Sequence, residues 1–222
     1  PVFCAFIYTA FAYHSLQFDQ SNARGENMKV EEIDKICVIG AGTMGSGIAQ
    51  TCAQAGYEVS MRDIDEGLVE KGFKSIRVPL EKRVEKGKMT KDEVDAIISK
   101  IHGTTSVVEA AEDAQIVIEA VIEDMALKKK VFKELDALCP PEVIFASNTS
   151  SLSITELGDA TTRADRFIGM HFFNPAPVMK LIELIRGSET SAETLETVKG
   201  LSIKLGKEPV EVMESPGFVV NR

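Results

Sequence analysis

From residue 35 onward, short apolar runs rich in β-branched residues alternate with longer segments whose apolar residues recur at helical spacing. A run of about four to eight apolar residues between turn residues is typical of a buried strand, and apolar residues three or four positions apart are typical of an amphipathic helix. The short runs predict strands within residues 35–40, 57–63, 114–122, 142–148, 166–173, 178–187 and 208–214. The periodic segments predict helices within residues 43–56, 64–88, 90–100, 126–139 and 191–206.

Local signals mark several of these boundaries. Gly56 stands where glycine commonly ends a helix, and Thr90 with Glu93 forms a capping-box pattern that begins one. Pro79, inside the segment 64–88, should kink or split that helix because proline lacks the backbone N–H. Strands that alternate with helices indicate an α/β fold, a doubly wound and mostly parallel sheet with helices on both faces.

The first 27 residues differ in composition from the rest of the chain. Residues 1–18 carry two of the three tyrosines and four of the eleven phenylalanines, but no basic residue. This stretch lacks the basic start of a signal peptide and is shorter than the roughly 20 apolar residues that a membrane span requires. We interpret residues 1–27 as a non-native or disordered leader, and we expect one folded domain over residues 28–214.

Charge and cysteine usage exclude several classes of partner. The chain of 222 residues has a formal net charge of -9, which disfavours nucleic acid or an anionic membrane as the main partner. Its four cysteines show no CxxC or Cys/His ligand spacing, so we predict no metal site and no disulfide framework. We interpret them as buried thiols of a cytoplasmic protein; they are Cys4, Cys37, Cys52 and Cys139.

A glycine-rich turn carries the first functional signal. The GxGxxG string lies between the first predicted strand and helix, and Asp63 ends the next strand. In a Rossmann-type unit this arrangement binds the pyrophosphate of a dinucleotide at the helix N-terminus, and the acid accepts the ribose hydroxyls. Asp63 therefore favours NAD over NADP. NADP stays an alternative, because Arg62 beside Asp63 could pair with its 2′-phosphate. The residues assigned to the cofactor from this turn are Gly40, Gly42, Thr43, Met44 and Gly45.

Residues 71–91 form a basic segment, because they include eight lysines and arginines but only two acidic residues, both glutamates. A local positive excess in an acidic protein suits a phosphorylated ligand such as the nucleotide end of coenzyme A, although a solvated helix face is an equally simple interpretation.

Five segments resemble the L-3-hydroxyacyl-CoA dehydrogenase family, and within it the bacterial 3-hydroxybutyryl-CoA dehydrogenases. They are VIGAGTMGSGIAQ, IEAVIEDMALKKKVF, ASNTSSLSITEL, IGMHFFNPAPVMKLIELIRG and SPGFVVNR. The resemblance extends from about Met28 to Arg222. It implies NAD as cofactor, an acyl-CoA thioester as substrate, and a helical dimerisation domain that begins at residues 215–222 and is otherwise missing, so that the full-length protein is expected to be a homodimer or higher homo-oligomer.

The resemblance also implies a catalytic set. The family's catalytic histidine falls on His171 and its partner glutamate on Glu183. Ser150 and Asn221 correspond to residues that bind the reacting oxygen of the substrate, and Asn174 to a further substrate ligand. An imidazole with an ordinary pKa of about 6.5 suits a general base near neutral pH. Without the resemblance, His171 and Asn174 could be purely structural, and Ser150 could cap a helix.

Three more residues are assigned to the cofactor by the same resemblance: Glu123, Lys128 and Asn148. Taken alone, the first two could be a surface acid and a helix lysine. The resulting expectation is an NAD-dependent, short-chain 3-hydroxyacyl-CoA dehydrogenase of bacterial butyrate or fatty-acid metabolism. Three alternatives stay open: a dehydrogenase of a free hydroxy or sugar acid, an NAD-binding module without catalysis, and one module of a multifunctional β-oxidation protein.

Overall fold

A computed structural model describes residues 28–214, and within them the chain forms one sheet of eight strands. The strands are β1 Lys35–Ile39, β2 Glu58–Arg62, β3 Ile101–Thr104, β4 Ile116–Glu119, β5 Ile144–Ser147, β6 Phe167–Phe172, β7 Leu181–Arg186 and β8 Glu208–Met213. The helices are α1 Thr43–Gln54, α2 Glu66–Glu85, α3 Lys91–Ser99, α4 Val107–Ala111, α5 Met125–Leu138, α6 Ile154–Gly158 and α7 Ala192–Lys204. The predicted leader and residues 215–222 lie outside the described part of the chain.

The strand order β3-β2-β1-β4-β5-β6-β7-β8 confirms the doubly wound α/β prediction. Every neighbouring pair is parallel except β6 and β7, which are antiparallel. The chain runs outward from β1 to β3 and then returns to the other side of β1 at β4. This reversal opens a crevice at the carboxyl ends of β1 and β4, which is where open α/β sheets bind ligands.

Helices cover both faces of the sheet, and successive side chains along each buried strand point to opposite faces. In β1, Ile36 and Val38 pack into the cluster that contains residues of α1, α2, α3 and α7. Cys37 and Ile39 point to the opposite face, where α4, α5 and α6 pack. The near-continuous apolar run of β1 is therefore the signature of a strand buried on two sides.

The helix α2 does not split, and that part of the prediction is wrong. It continues through Pro79, which lies on its exposed side between the buried residues Ile76 and Leu80. The proline removes one backbone hydrogen bond on a solvated face, where water can satisfy the carbonyl of exposed Ser75. The packing of Ile76 and Leu80 into the core outweighs this loss.

The sequence pattern missed β3 and α4, and it raised α6 only through the alternative that Ser150 caps a helix. Of the four residues of β3, only Ile101 is buried, because this is an edge strand. The predicted Thr90–Glu93 capping box is present, with the Thr90 N–H donating to Glu93 Oε2 at 2.7 Å. Among residues 28–214, no helix combines the length and the apolar character that a membrane crossing requires.

The prediction of buried thiols is confirmed for the three cysteines that the structure describes. Cys37, Cys52 and Cys139 are buried free thiols. Burial raises the pKa of Cys52 to about 12, so this thiol stays protonated and unreactive at neutral pH. Cys4 lies outside the described residues.

Candidate active site

The glycine turn after β1 adopts the conformation that its three glycines permit. Gly40 has a φ of 106°, and a Cβ there would lie 2.7 Å from the Ala120 carbonyl oxygen. A Cβ on Gly45 would lie 1.8 Å from the Gly40 carbonyl oxygen, so helix α1 can approach the turn only because residue 45 has no side chain. The backbone of β1 thus turns sharply into α1.

Gly42 has a different role, because a Cβ there would meet no protein atom within 4 Å. It is the N-cap of α1, and no side chain caps the helix start. Thr43 and the partly buried Met44 follow in the first turn. An open space in front of uncapped N–H groups at the positive end of a helix fits a dinucleotide pyrophosphate.

Asp63 is fixed at the end of β2 beside this turn. Its Oδ2 accepts from the Ala41 N–H and its Oδ1 from the Ile64 N–H, each at 2.7 Å. The side chain of Arg62 donates instead to the Thr105 carbonyl at 3.1 Å. Because two backbone amides hold Asp63 in place, its negative charge stays where a 2′-phosphate would have to bind, and this favours NAD.

A histidine–glutamate pair lies further along the sheet. His171 in β6 is the direct register partner of Glu183 in β7, and His171 Nδ1 is 2.8 Å from Glu183 Oε2. Both residues are buried, at 5% and 1% exposure. The antiparallel pairing of β6 and β7 brings them together, because directly opposed residues place their side chains on one face of the sheet.

Ser150 completes a chain of hydrogen bonds with this pair. Its Oγ lies 3.2 Å from His171 Nε2. It does not cap α6, whose N-cap is Ser153, so the capping alternative for Ser150 is wrong. The structure therefore brings together the predicted residues His171, Glu183 and Ser150, while Asn221 lies outside the described residues.

Glu123 holds the turn that carries Ser150. Its Oε1 accepts from the Ser150 N–H at 2.8 Å and from Thr149 Oγ1 at 2.5 Å. Burial acts to raise the pKa of Glu123, but these hydrogen bonds and the nearby Lys128 ammonium outweigh it and hold that pKa below its ordinary value. Glu123 is therefore ionised at neutral pH.

Lys128 lies inside the protein and extends this network. It is 1% exposed, and its Nζ is 2.6 Å from Glu119 Oε1 and 3.4 Å from Glu123 Oε2. Glu119, which is fully buried, also accepts from Ser147 Oγ at 2.6 Å. The sequence analysis missed Glu119, although a charged residue at the end of the apolar run QIVIE was a usable signal. Direct cofactor contact by Lys128 stays a prediction.

Asn148 is also engaged within the protein. Its side-chain oxygen accepts from the Phe172 N–H at 2.8 Å, which ties the end of β5 to the end of β6 next to His171. Its assignment to the cofactor likewise stays a prediction.

Asn174 belongs to a groove at the same edge of the sheet. The groove has a volume of about 340 Å³ and lies between α1, α2 and the loop after β6. Asn174 is exposed in this loop, and Arg83 of the basic segment lines the opposite wall. The groove lining is Thr43, Ser46, Gly47, Gln50, Ser75, Pro79, Leu80, Arg83, Asn174, Pro175, Ala176, Pro177 and Val178.

Comparison with known proteins agrees with this architecture. Residues 35–215 match the family described as 3-hydroxyacyl-CoA dehydrogenase, NAD binding domain. The chain is 53% identical over 191 residues to a probable 3-hydroxybutyryl-CoA dehydrogenase of Bacillus subtilis and 50% identical over 188 residues to the 3-hydroxybutyryl-CoA dehydrogenase of Clostridioides difficile. The alignments cover 86% and 85% of this chain, and 66% of each relative.

A solved structure gives the same result. The crystal structure of (S)-3-hydroxybutyryl-CoA dehydrogenase from Ralstonia eutropha superimposes with a TM-score of 0.83 at 49% identity, over 86% of this chain and 67% of that one. The family match over residues 35–215 includes the glycine turn, His171, Glu183 and the groove residues. The chain belongs to the 3-hydroxyacyl-CoA dehydrogenase family, and residues 35–215 are its NAD-binding domain.

Proposed function

We propose that the full-length protein interconverts a short-chain 3-hydroxyacyl-CoA, such as 3-hydroxybutyryl-CoA, and the corresponding 3-oxoacyl-CoA with NAD as cofactor. The chain spans about two thirds of its relatives, 66% of each, so the activity is inferred for the whole protein. The observation that carries the proposal is the buried His171–Glu183 pair, with Ser150 beside it, at the sheet edge that also carries the dinucleotide turn.

His171 is the proton acceptor in this proposal. In this proposal His171 Nδ1–H donates to the Glu183 carboxylate, and the lone pair on Nε2 stays available. Nε2 faces Ser150 Oγ, and a substrate hydroxyl bound beside Ser150 comes within reach of it. Glu183 then stabilises the imidazolium that forms when the ring takes the hydroxyl proton.

The remaining residues position the reacting carbon. NAD, when bound at the glycine turn, supplies the acceptor for the hydride that leaves carbon 3 of the hydroxyacyl group. Ser150 donates to the oxygen on that carbon, and the network through Glu123 fixes the turn on which Ser150 lies. We assign Asn174, which lines the groove, to the thioester end of the substrate, and this contact holds the substrate in one orientation. Water is restricted near the His171–Glu183 pair because both residues are buried.

The groove and its basic wall suit an acyl-CoA better than a free acid. Arg83 lines the groove, and the neighbouring positions of α2 and the turn after it add Lys82, Lys86 and Lys88. Coenzyme A carries phosphates far from its thioester, so we infer that Arg83 and the basic segment around it favour this ligand, whereas a small hydroxy acid makes no use of those charges. The names of the relatives support the same substrate class.

The test is NADH oxidation with acetoacetyl-CoA by the full-length protein. His171→Gln should lower kcat by about 100-fold or more while the protein still binds NADH, because in this direction the His171 imidazolium donates the proton to the 3-oxygen, and general acid–base catalysis contributes roughly 10²–10⁴ in rate. His102→Gln is the matched control, since His102 is an exposed histidine that pairs with Glu109 far along the sheet on β3. Turnover should not change in that variant.

Two outcomes would contradict the proposal. One is a His171→Gln protein that keeps near-normal turnover, which would remove the proton-transfer role. The other is equal or better turnover of free acetoacetate, which would favour the free-acid dehydrogenase. We also infer a cytoplasmic homo-oligomer, and light scattering of the full-length protein tests the assembly.

A further inference from the structure

The loop between β6 and β7, residues 174–180, forms one wall of the groove; we call it the wall loop. Its backbone bonds are mostly local, because the N–H groups of Val178 and Met179 both donate to the Pro175 carbonyl. Val178 is 72% exposed and Met179 is 40% exposed, so these side chains do not anchor the loop to the core. Ala176 is its buried residue, and it lies against Gly47 of α1.

A buried lysine ties this loop to the body of the domain. Lys207 precedes β8, and its Nζ donates to the Ala176 carbonyl at 2.5 Å and to the Met179 carbonyl at 2.9 Å. Lys207 is 7% exposed. Its own backbone is held on both sides, because the Lys207 N–H donates to Ser202 and the Glu208 N–H donates to Lys180. The ammonium group therefore bridges two points of the wall loop from a fixed position below it.

Burying the Lys207 ammonium group costs free energy, and packing alone gives no reason for a charged side chain at this position. Among residues 28–214, no carboxylate lies within ion-pair distance of Lys207. Burial lowers the pKa of Lys207, which reports the desolvation of its charge. An apolar side chain at this position would avoid that cost but would remove the Lys207 donor from the buried Ala176 carbonyl and the part-buried Met179 carbonyl.

We propose that Lys207 is a positioning residue for the substrate. By holding the Ala176 and Met179 carbonyls, it fixes the position of the wall loop at the groove. The fixed loop in turn places Asn174 and Val178 against the acyl-CoA. This inference rests on the proposed function for the identity of the ligand, but the tether itself does not. Lys207 acts through the loop and touches neither substrate nor cofactor. The glycine turn is held by its own bonds to the end of β2, which do not involve the wall loop.

The test compares Lys207→Met with Lys207→Arg and with the control Lys204→Met. Lys204 is a lysine of α7 whose charge pairs with exposed Glu31, so its loss leaves the wall loop intact. Amide hydrogen exchange over residues 174–180 reports the tether directly. Steady-state kinetics of the full-length protein report the KM for acetoacetyl-CoA, kcat and the Kd for NADH.

In Lys207→Met we expect amide exchange at Val178 and Met179 to accelerate by about tenfold or more, since two hydrogen bonds from a charged donor are lost. The KM for acetoacetyl-CoA should rise by about tenfold, with a smaller change in kcat and none in the Kd for NADH. Lys207→Arg should restore much of both quantities. The control should match the wild type.

Several results would overturn the proposal. Unchanged exchange in the wall loop would remove the tether, and faster exchange with an unchanged KM would remove its role in substrate positioning. A fall in kcat together with a rise in KM and a rise in the Kd for NADH would indicate general destabilisation instead. If Lys207→Met does not fold, Lys207→Gln replaces it in the same measurements. Glutamine keeps two N–H donors but is shorter than lysine, so we expect the same changes in amide exchange and in KM. Absence of wild-type turnover would instead defeat the proposed function, and the exchange result would still decide the tether.

Discussion

The glycine turn allows cofactor binding and protein stability to be separated with two single-methyl substitutions. In Gly45→Ala, the new methyl would lie 1.8 Å from the Gly40 carbonyl oxygen, whereas real Cβ contacts are essentially never shorter than 3.0 Å. The turn and α1 must therefore separate by more than about 1 Å, and overpacking of this kind costs about 1–3 kcal/mol or more. Both stability and NADH binding should fall.

In Gly42→Ala, the same methyl meets no protein atom within 4 Å, and the backbone has a φ of -67°, which alanine adopts freely. Alanine is a poorer N-cap than glycine by roughly 0.5–1 kcal/mol. It also reduces the entropy of the unfolded chain by a similar amount, about 0.4–1 kcal/mol. We expect the free energy of unfolding to change by less than about 0.5 kcal/mol. The methyl instead occupies the space in front of the α1 N-terminus.

A pyrophosphate kept from that N-terminus loses at least one charge-assisted hydrogen bond, worth about 1.5–3 kcal/mol. The Kd for NADH should therefore rise by about 10- to 100-fold. The assays are NADH fluorescence titration and urea unfolding of the chain. Gly56→Ala is the control: with a φ of 103° and no atom within 4 Å, it should lose stability but keep NADH affinity. Wild-type NADH affinity in Gly42→Ala would refute the reasoning.

Two further predictions concern carboxylates that pair with a basic side chain. Glu183→Gln in the full-length protein should lower kcat by about 100-fold or more with little change in NADH binding, because the amide no longer fixes the His171 tautomer or stabilises its cation; an unchanged kcat would contradict this. Asp136→Asn should lower the free energy of unfolding at pH 7 by about 3 kcal/mol, because it leaves buried Arg163 without its carboxylate partner at 2.7 Å. Burial acts to raise the pKa of Asp136, but the Arg163 and Thr162 hydrogen bonds outweigh it, so the pKa lies below its ordinary value of 3.8. The stabilisation is then complete above that ordinary value and is lost as the pH falls through the folded-state pKa; urea unfolding curves of the two proteins that stay equally separated at acid pH would contradict this.

Sequence patterns predicted most elements because the buried strands are mostly apolar and most of the helices have side-chain caps that local chemistry specifies. The edge strand β3 escaped because only Ile101 among its residues is buried. The role of Pro79 was misjudged in part because a proline on an exposed helix face costs little when its neighbours pack into the core. Element existence therefore followed from local composition, whereas an edge position and a tolerated proline depended on the surroundings.

The sequence by itself determined the dinucleotide turn, because the three glycines, the following helix and Asp63 are close in the chain and each acts through local backbone geometry. Resemblance to a family supplied the identities of His171 and Glu183. Only the tertiary structure decided that these two are register partners across an antiparallel pair, and that Glu119 and Lys128 form a buried pair beneath the Ser150 turn. The same holds for Lys207, whose ammonium bridges carbonyls about 30 residues away. Such contacts depend on strand order and packing, and these arise from the burial of both sheet faces at once rather than from any local stretch of sequence.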